Sequence, residues 1–284
     1  MPARVLPPYG WPLKPFDRMH PVRGYFNDPR ISGKSRAFHF GIDVSGRDGT
    51  AVYAVEAGQV HIEGGQSLSV VGEGGARTFG YWHVNPVVRH HQVVRQHQLL
   101  GHIAPTWGHV HFAETTGIRK YVNPLRAGAL TPWRDATSPR IAGIHFYRGR
   151  KELSPLSVSG DVDVIVEAYD LPPMPVPPPW NDLPVTPARL RWRVLHGRRV
   201  VRPWHTPVDF SRRLLPASLF PIVFAPGTRQ NHPGKAGSYR FYVAHGWTTS
   251  LLPNGLYRLE VSANDMSGNH AVAGLPFTIA NRPG

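Results

Sequence analysis

The chain has 284 residues, no cysteine and a formal net charge of +14. That length buries one large core or two ordinary ones, and the missing cysteines exclude disulfides and thiolate metal sites, so any transition metal must use His, Asp or Glu. The charge favours anionic partners such as acidic cell-wall polymers, anionic lipid or nucleic acid, but the arginines are scattered rather than gathered in a block, which argues against specific nucleic-acid binding.

In chain order, residues 1 to about 30 are rich in proline and read as an irregular arm. The opening "MPARVLPPYGWPLKPF" has no apolar segment of the signal-peptide kind, and no apolar run reaches the ~18 residues of a membrane span. From there to about residue 115, short β-like runs alternate with glycines. "TAVYAVEAGQVHI" (Thr50 to Ile62), "QSLSVVGE", "TFGYWHV" and "GHVHFAE" each alternate apolar and polar positions, as half-buried strands do. "NPLRAGALTPWRDATSP" (Asn123 to Pro139) has a turn residue every few positions and reads as a boundary. The expected units are therefore residues 1–135 and 136–284.

In the second unit "RIAGIHFYRG", "GDVDVIVEAYD", "ARLRWRVLHG", "SYRFYVAHG" and "GLYRLEVSAND" read as strands separated by turns, the pattern of a β-sandwich. "LPPMPVPPPWNDLP" (residues 171–184) is a proline-dense insertion, extended and exposed by composition. With 30 prolines and 29 glycines the expected fold class is all-β throughout. "VEAYD" and "VSAND" share a V-x-A-x-D pattern. An Asp closing a strand ordinarily caps the next turn through backbone N–H groups; a calcium site is the sharper alternative. Trp180, Trp192, Trp204 and Trp247 suit either core packing or stacking on sugars.

Sixteen histidines make a single one uninformative, so spacing carries the argument. "FHFGIDVS" holds His39 and Asp43; on a strand, residues 39, 41 and 43 share one face, and Gly41 leaves room between the two side chains. "GHVHFAE" holds His109 and His111, again on one face, with Val110 turned to the core. Zinc binds imidazole nitrogen and carboxylate oxygen at ~2.0–2.2 Å, and a catalytic site keeps three protein ligands and an open position. The two pairs supply three ligands and one spare histidine. "YWH" (Tyr81 to His83) adds another imidazole at a strand end. An imidazole beside an activated water can take its proton, and a second can stabilise a developing oxyanion.

His39 with Asp43, His83, and His109-Val110-His111 taken in that order resemble the signature of lysostaphin-type (LytM-like) zinc endopeptidases, which cleave peptides of bacterial peptidoglycan. The resemblance runs over about residues 15 to 125. "HPVRGYFNDPR" resembles the approach to the first ligand, "GTAVYAVEAGQV" the strand-turn-strand after it, and "QVVRQHQLLGHI" the approach to the second motif. The resemblance implies that His39, Asp43 and His111 bind Zn2+, that His109 acts as base and that His83 stabilises the oxyanion. It implies an antiparallel metallopeptidase domain with an open groove, followed here by a region resembling an immunoglobulin-like sandwich. It also implies hydrolysis of stem or cross-link peptides and a place in the cell envelope or outside the cell. The chain departs from the family at Phe79 with Thr78 beside it, at His97 in place of a common glycine, at the short loop "APTWG", and at Glu114, shifted by one in "HFAE". The alternative expectation is a metal-containing envelope binding or scaffold protein without turnover. His61, His90, His91, His97 and His102 read as solvated or structural, with His61 a candidate for the groove wall.

Overall fold

Turn residues every few positions break the chain into twenty-one strands, one four-residue helix and three short 3-10 turns among the described residues. The computed structural model describes residues 6–117 and 120–281. Residues 1–5 of the expected arm, Ile118, Arg119 and residues 282–284 lie outside them. The architecture is all-β with antiparallel sheets, as expected from the composition.

The first half contributes β1 (Val22–Gly24), β2 (Pro29–Ser32), β3 (Ser35–Phe38), β4 (Ile42–Ser45), β5 (Ala51–Tyr53), β6 (Gly58–Gly64), β7 (Ser67–Gly72), β8 (Arg77–Trp82), β9 (Val84–Pro86), β10 (Val93–Val94), β11 (Leu99–Ile103), β12 (His109–Thr116) and β13 (Tyr121–Val122). Eight of these form one sheet in the order β1-β4-β12-β8-β7-β6-β10, with β13 on the end of β12. β5-β11-β9 form a second sheet, and β2-β3 a separate hairpin. Alternation puts Ile42, Val44, Val110 and Phe112 behind the large sheet, all fully buried. The expected run Thr50 to Ile62 is broken after Tyr53, so β5 and β6 join different sheets.

The N-terminal arm is irregular but tightly packed. Tyr9, Trp11 and Leu13 are buried in the first core, and the Tyr9 hydroxyl donates to Glu114 Oε2 at 2.6 Å. Glu114 also receives Arg126 at 2.6 and 2.7 Å, so the shifted glutamate is a buried structural anchor.

The second half contributes β14 (Arg140–Arg148), β15 (Lys151–Leu153), β16 (Asp161–Tyr169), β17 (Arg189–His196), β18 (Arg199–Asp209), α1 (Phe220–Val223), β19 (Arg240–Thr248), β20 (Gly255–Asn264) and β21 (His270–Ile279). Two four-stranded sheets, β15-β14-β16-β19 and β18-β17-β20-β21, share one apolar core that includes Phe146, Val164, Trp192, Phe241, Tyr257 and Phe277. Trp192 is fully buried in that core, and the half-buried Trp247 packs against it, edge-on to Trp192 at 5.4 Å. Trp204 lies under Arg191 and Arg193. Packing crosses between the halves: Phe38, at the end of β3, sits in the second core against Phe210, Phe220 and Phe224, while Val185 sits in the first.

Candidate metal centre

β4 and β12 pair in a register that sets Asp43 directly opposite His111. Opposed residues on neighbouring antiparallel strands bring their Cβ atoms to about 5 Å, so the meeting of Asp43 from the first pair with His111 from the second is a consequence of sheet register. His39 does not lie on a strand: β3 ends at Phe38 and β4 starts at Ile42. The expected 39-41-43 strand face is therefore corrected. His39 reaches the site from an irregular segment, held by the hydrogen bonds of its own backbone, Asn27 N–H to His39 O at 2.8 Å and His39 N–H to Asp28 O at 2.9 Å. Those bonds fix a bend that lets residue 39 meet residue 43 on the same side.

The three expected ligands converge. His39 Nε2 lies 2.7 Å from His111 Nδ1 and 3.2 Å from Asp43 Oδ1, and His111 Nδ1 lies 3.1 Å from the same oxygen. Donors about 2.0–2.1 Å from a tetrahedral centre are separated by about 3.3 Å, so the spacing suits a zinc-sized ion. The proton pattern suits it too. His39 Nδ1 is 2.8 Å from the carbonyl oxygen of Tyr25; donation there fixes the ring orientation and leaves the Nε2 lone pair toward the centre. His111 Nε2 is buried without a hydrogen-bond partner, against Gly41, where an added Cβ would come within 2.8 Å of it. Gly41 thus makes room for the His111 ring itself.

Asp43 divides its oxygens. Oδ1 faces the histidines, while Oδ2 receives Arg30 Nη2 at 2.8 Å. Gly24, paired with Asp43 across β1 and β4, permits that contact: a Cβ there would lie 2.5 Å from Asp43 Oδ2 and 3.0 Å from Arg30 Nη2. Burial raises the Asp43 pKa, but His39, His109 and Arg30 outweigh it and hold the carboxyl well below its ordinary value. His39 is pushed down to about 3, by burial first and then by Arg30. His111 is lowered by burial. Neutral imidazole is the metal-binding form.

The remaining two histidines stand on the open side. His109 is buried, with Nε2 3.4 Å from Asp43 Oδ1. Its Nδ1 lies 2.8 Å from the carbonyl oxygen of Trp107 and 2.7 Å from Arg23 Nη2. His83 follows β8 with φ of 64°, a left-handed conformation uncommon outside glycine. That turn swings its ring under Trp107, stacked at 3.6 Å and 18°, and to 4.6 Å from the His109 ring. Burial pushes His83 down to about 3, with His109 next. The short "APTWG" loop is thus a support for both imidazoles. Asp48 holds it by accepting the Thr106 and Gly108 N–H groups at 2.7 and 2.9 Å.

A cleft of about 500 Å³ opens over these residues. Its walls include Arg23, Arg30, Trp82 and Trp107 from the first half and Trp180 and Tyr239 from the second. Trp180, from the proline-dense insertion, lies over the Arg23 guanidinium at 4.3 Å. Sequence reasoning missed Arg23, Arg30 and the second-half wall. The two arginines stand in "HPVRGYFNDPR", beside a motif already singled out, but nothing local tells that Trp180 returns to this cleft. His61 is not on its lining; its ring meets His90 and His91. In that group His90 Nδ1 accepts the Ile62 N–H at 3.0 Å, which leaves the ring proton on Nε2 and no lone pair free for a metal.

No family model matches this chain, and no curated protein matches it. Among solved structures it is similar to the catalytic domain of lysostaphin from Staphylococcus simulans, at 22% identity over 36% of this chain and 87% of that one, with a TM-score of 0.33. It is similar to a zinc-containing peptidase from Vibrio cholerae at 20% identity, over 37% of this chain and 36% of that one, TM-score 0.31. The deep-sea M23 metalloprotease pseudoalterin is 16% identical over 51% of this chain and 94% of that one, TM-score 0.32.

Proposed function

We propose that the chain is a zinc-dependent endopeptidase that hydrolyses stem or cross-link peptides of bacterial peptidoglycan. The observation that carries the proposal is the convergence of His39 Nε2, Asp43 Oδ1 and His111 Nδ1 at 2.7–3.2 Å, with two imidazoles outside that ligand set, His83 and His109, on the cleft lining. The motif order in the sequence supports the same reading.

Zinc at these ligands supplies a Lewis acid that lowers the pKa of water toward about 7. In the tautomer whose Nδ1 proton is donated to Trp107 O, with Arg23 Nη2 donating to that same carbonyl oxygen rather than to Nδ1, His109 takes the proton from the attacking water through Nε2. His83, neutral at working pH, donates an N–H to the carbonyl oxygen as its charge grows. Arg30 keeps Asp43 ionised and turned with one oxygen toward the centre. Arg23 and Trp180 form a cationic and aromatic wall beside His109, suited to a peptide carrying a carboxylate. Such a substrate implies work in the cell envelope or outside the cell, where the +14 charge favours contact with anionic wall polymers.

The test is zinc quantification on the purified protein coupled to mass spectrometry of muropeptide digests. One zinc per chain and new peptide termini, both signals lost in His111→Ala and only the termini lost in His109→Ala, are expected. Zinc-loaded protein that leaves all muropeptides intact sinks the enzyme reading and favours a metal-containing scaffold.

A further inference from the structure

Asp135, Asp170 and Asp265 come from three separate segments, and one carboxylate oxygen of each lies within 4.8 Å of the others. Asp135 is in the connection between the halves. Asp170 follows β16, and Asp265 follows β20. Asp170 and Asp265 are the aspartates of the repeated V-x-A-x-D pattern. Among the described residues no lysine, arginine or histidine nitrogen pairs with any of the three. Their hydrogen bonds take up only part of their capacity. Asp265 receives the Ser267 and Asn269 N–H groups and the Asn269 amide; Asp135 Oδ1 receives Thr137; Asp170 Oδ1 receives the Leu171 N–H. Asp135 Oδ2 and Asp170 Oδ2 receive none among the described residues.

A second observation is independent of the acids. Tyr25 is 6% exposed, and its hydroxyl is buried with no hydrogen-bond partner. A buried hydroxyl left unpaired costs about 1–3 kcal/mol, so an orphan of this kind marks a missing partner. The Tyr25 ring meets Trp133, two residues before Asp135, edge-on at 6.1 Å, and the cluster's charges reach the hydroxyl: after burial, the groups that raise its pKa are Asp170, Asp135, Asp28 and Asp265, in that order. Asp170 outranks Asp28, although Asp28 bonds the Tyr25 backbone N–H at 2.7 Å. The bare cluster is also unfavourable to itself. Asp170 is pushed up to about 7, by burial and then by Asp135 and Asp265, and Asp265 is raised by burial and Asp135.

We propose that Asp135, Asp170 and Asp265 bind a calcium ion that clasps the two halves together, with a water on the ion accepting the Tyr25 hydroxyl proton. Oxygen-only donors select a hard cation over zinc. Calcium takes six to eight oxygen ligands in flexible geometry and accepts a site completed by water and partly filled carboxylates, whereas magnesium demands a near-ideal octahedron and gives up its waters reluctantly. The ion closes the base of the insertion that carries Trp180. Asp170 and Val185 exchange backbone hydrogen bonds at 2.8 and 2.9 Å at the neck of that loop, and Asn269 Nδ2 bonds both Asp265 Oδ2 at 2.6 Å and Asp135 O at 2.8 Å. Calcium therefore fixes the second-half wall of the cleft.

The experiment is a calorimetric melt and a calcium titration of the zinc-loaded full chain after removal of other divalent ions. Saturating calcium is expected to raise Tm by roughly 5 °C or more, with one calcium bound per chain. Asp135→Asn/Asp170→Asn keeps every hydrogen bond that the two carboxylates accept through Oδ1; it is expected to abolish both signals, to keep its zinc, and to melt no lower than the calcium-free parent, since it removes two repelling charges. A parent whose Tm is indifferent to calcium overturns the proposal, as does an equal calcium response in the double variant. Neither readout uses peptide cleavage, so this inference and the proposed activity fail separately.

Discussion

The two sides of the candidate metal centre are built differently. His111 and Asp43 stand opposite each other on β12 and β4, backed by Val110, Phe112, Ile42 and Val44. That side is made by local strand pairing inside the first half. His39 sits on an irregular segment whose supports come from far along the chain. Phe38 beside it is buried in the second core. The Asp28 carboxylate receives the Thr186 N–H and hydroxyl at 3.1 and 2.6 Å. Asn27 donates to Arg213 O and accepts from the Leu215 N–H, both at 3.0 Å. A strand register needs only its neighbours, whereas a loop-borne ligand needs something to press against. The second half is therefore part of what positions His39.

The largest effect that can break this contrast is loss of a ligand from either side. His39→Ala and His111→Ala should both lower muropeptide cleavage by about 10³-fold or more, because interdependent groups fail together, with zinc lost in parallel by elemental analysis. If either variant keeps its zinc, that residue is not a ligand. Next comes Phe38→Ala, which should cost about 3–5 kcal/mol in denaturant unfolding and weaken zinc binding although Phe38 touches no site atom. Val110→Ala, behind the strand-borne side, should cost about 2 kcal/mol with a smaller change in zinc affinity.

Acid sharpens the contrast in zinc-free protein. The His39 pKa is about 3 in the fold against 6.5 as the ordinary value. Between those values the unfolded chain binds a proton that the folded chain refuses, so stability falls as pH falls. Asp170, raised to about 7, works in the opposite direction over the upper part of that window. The comparison with His39→Asn isolates the histidine: the difference in unfolding free energy should move in the variant's favour by about 1.4 kcal/mol per pH unit from about pH 6 to about pH 4. A difference that does not change with pH removes His39 as a buried neutral imidazole.

Smaller effects follow at the edges of the site. Thr186→Val removes the hydroxyl donor of Asp28 while its backbone N–H remains, and should cost about 1–3 kcal/mol, with a rough tenfold loss of zinc affinity through the His39 segment. Trp180→Ala should raise KM severalfold at constant kcat and leave Tm within about 1 °C, since its ring covers Arg23 rather than the core. A kcat loss without a KM change would place Trp180 outside substrate contact.

Much of the site was legible because its residues lie in short motifs. H-x-H on an alternating stretch forces two imidazoles to one face whatever the fold, and Val110 went to the core for the same reason. The all-β class was legible from turn density. His39 was assigned to a strand because "FHFGID" alternates, yet the chain bends there under hydrogen bonds from Asn27 and Asp28, which periodicity does not encode. The proline-dense 171–184 insertion has the composition of an exposed spacer; its return to the cleft depends on the Asp170–Val185 pairing and on Arg23, 157 residues before Trp180 in the chain.

Residue type and spacing alone singled out five candidate side chains, because a metal site needs particular donor atoms and strands repeat every two residues. The tertiary structure alone decided which side chains surround them. Arg30 on Asp43, Trp107 on His83, the Tyr25 carbonyl on His39 and the second half behind Phe38 are contacts between segments that no local pattern links, since long-range packing is set by the burial of whole sheets against one another rather than by any run of neighbours.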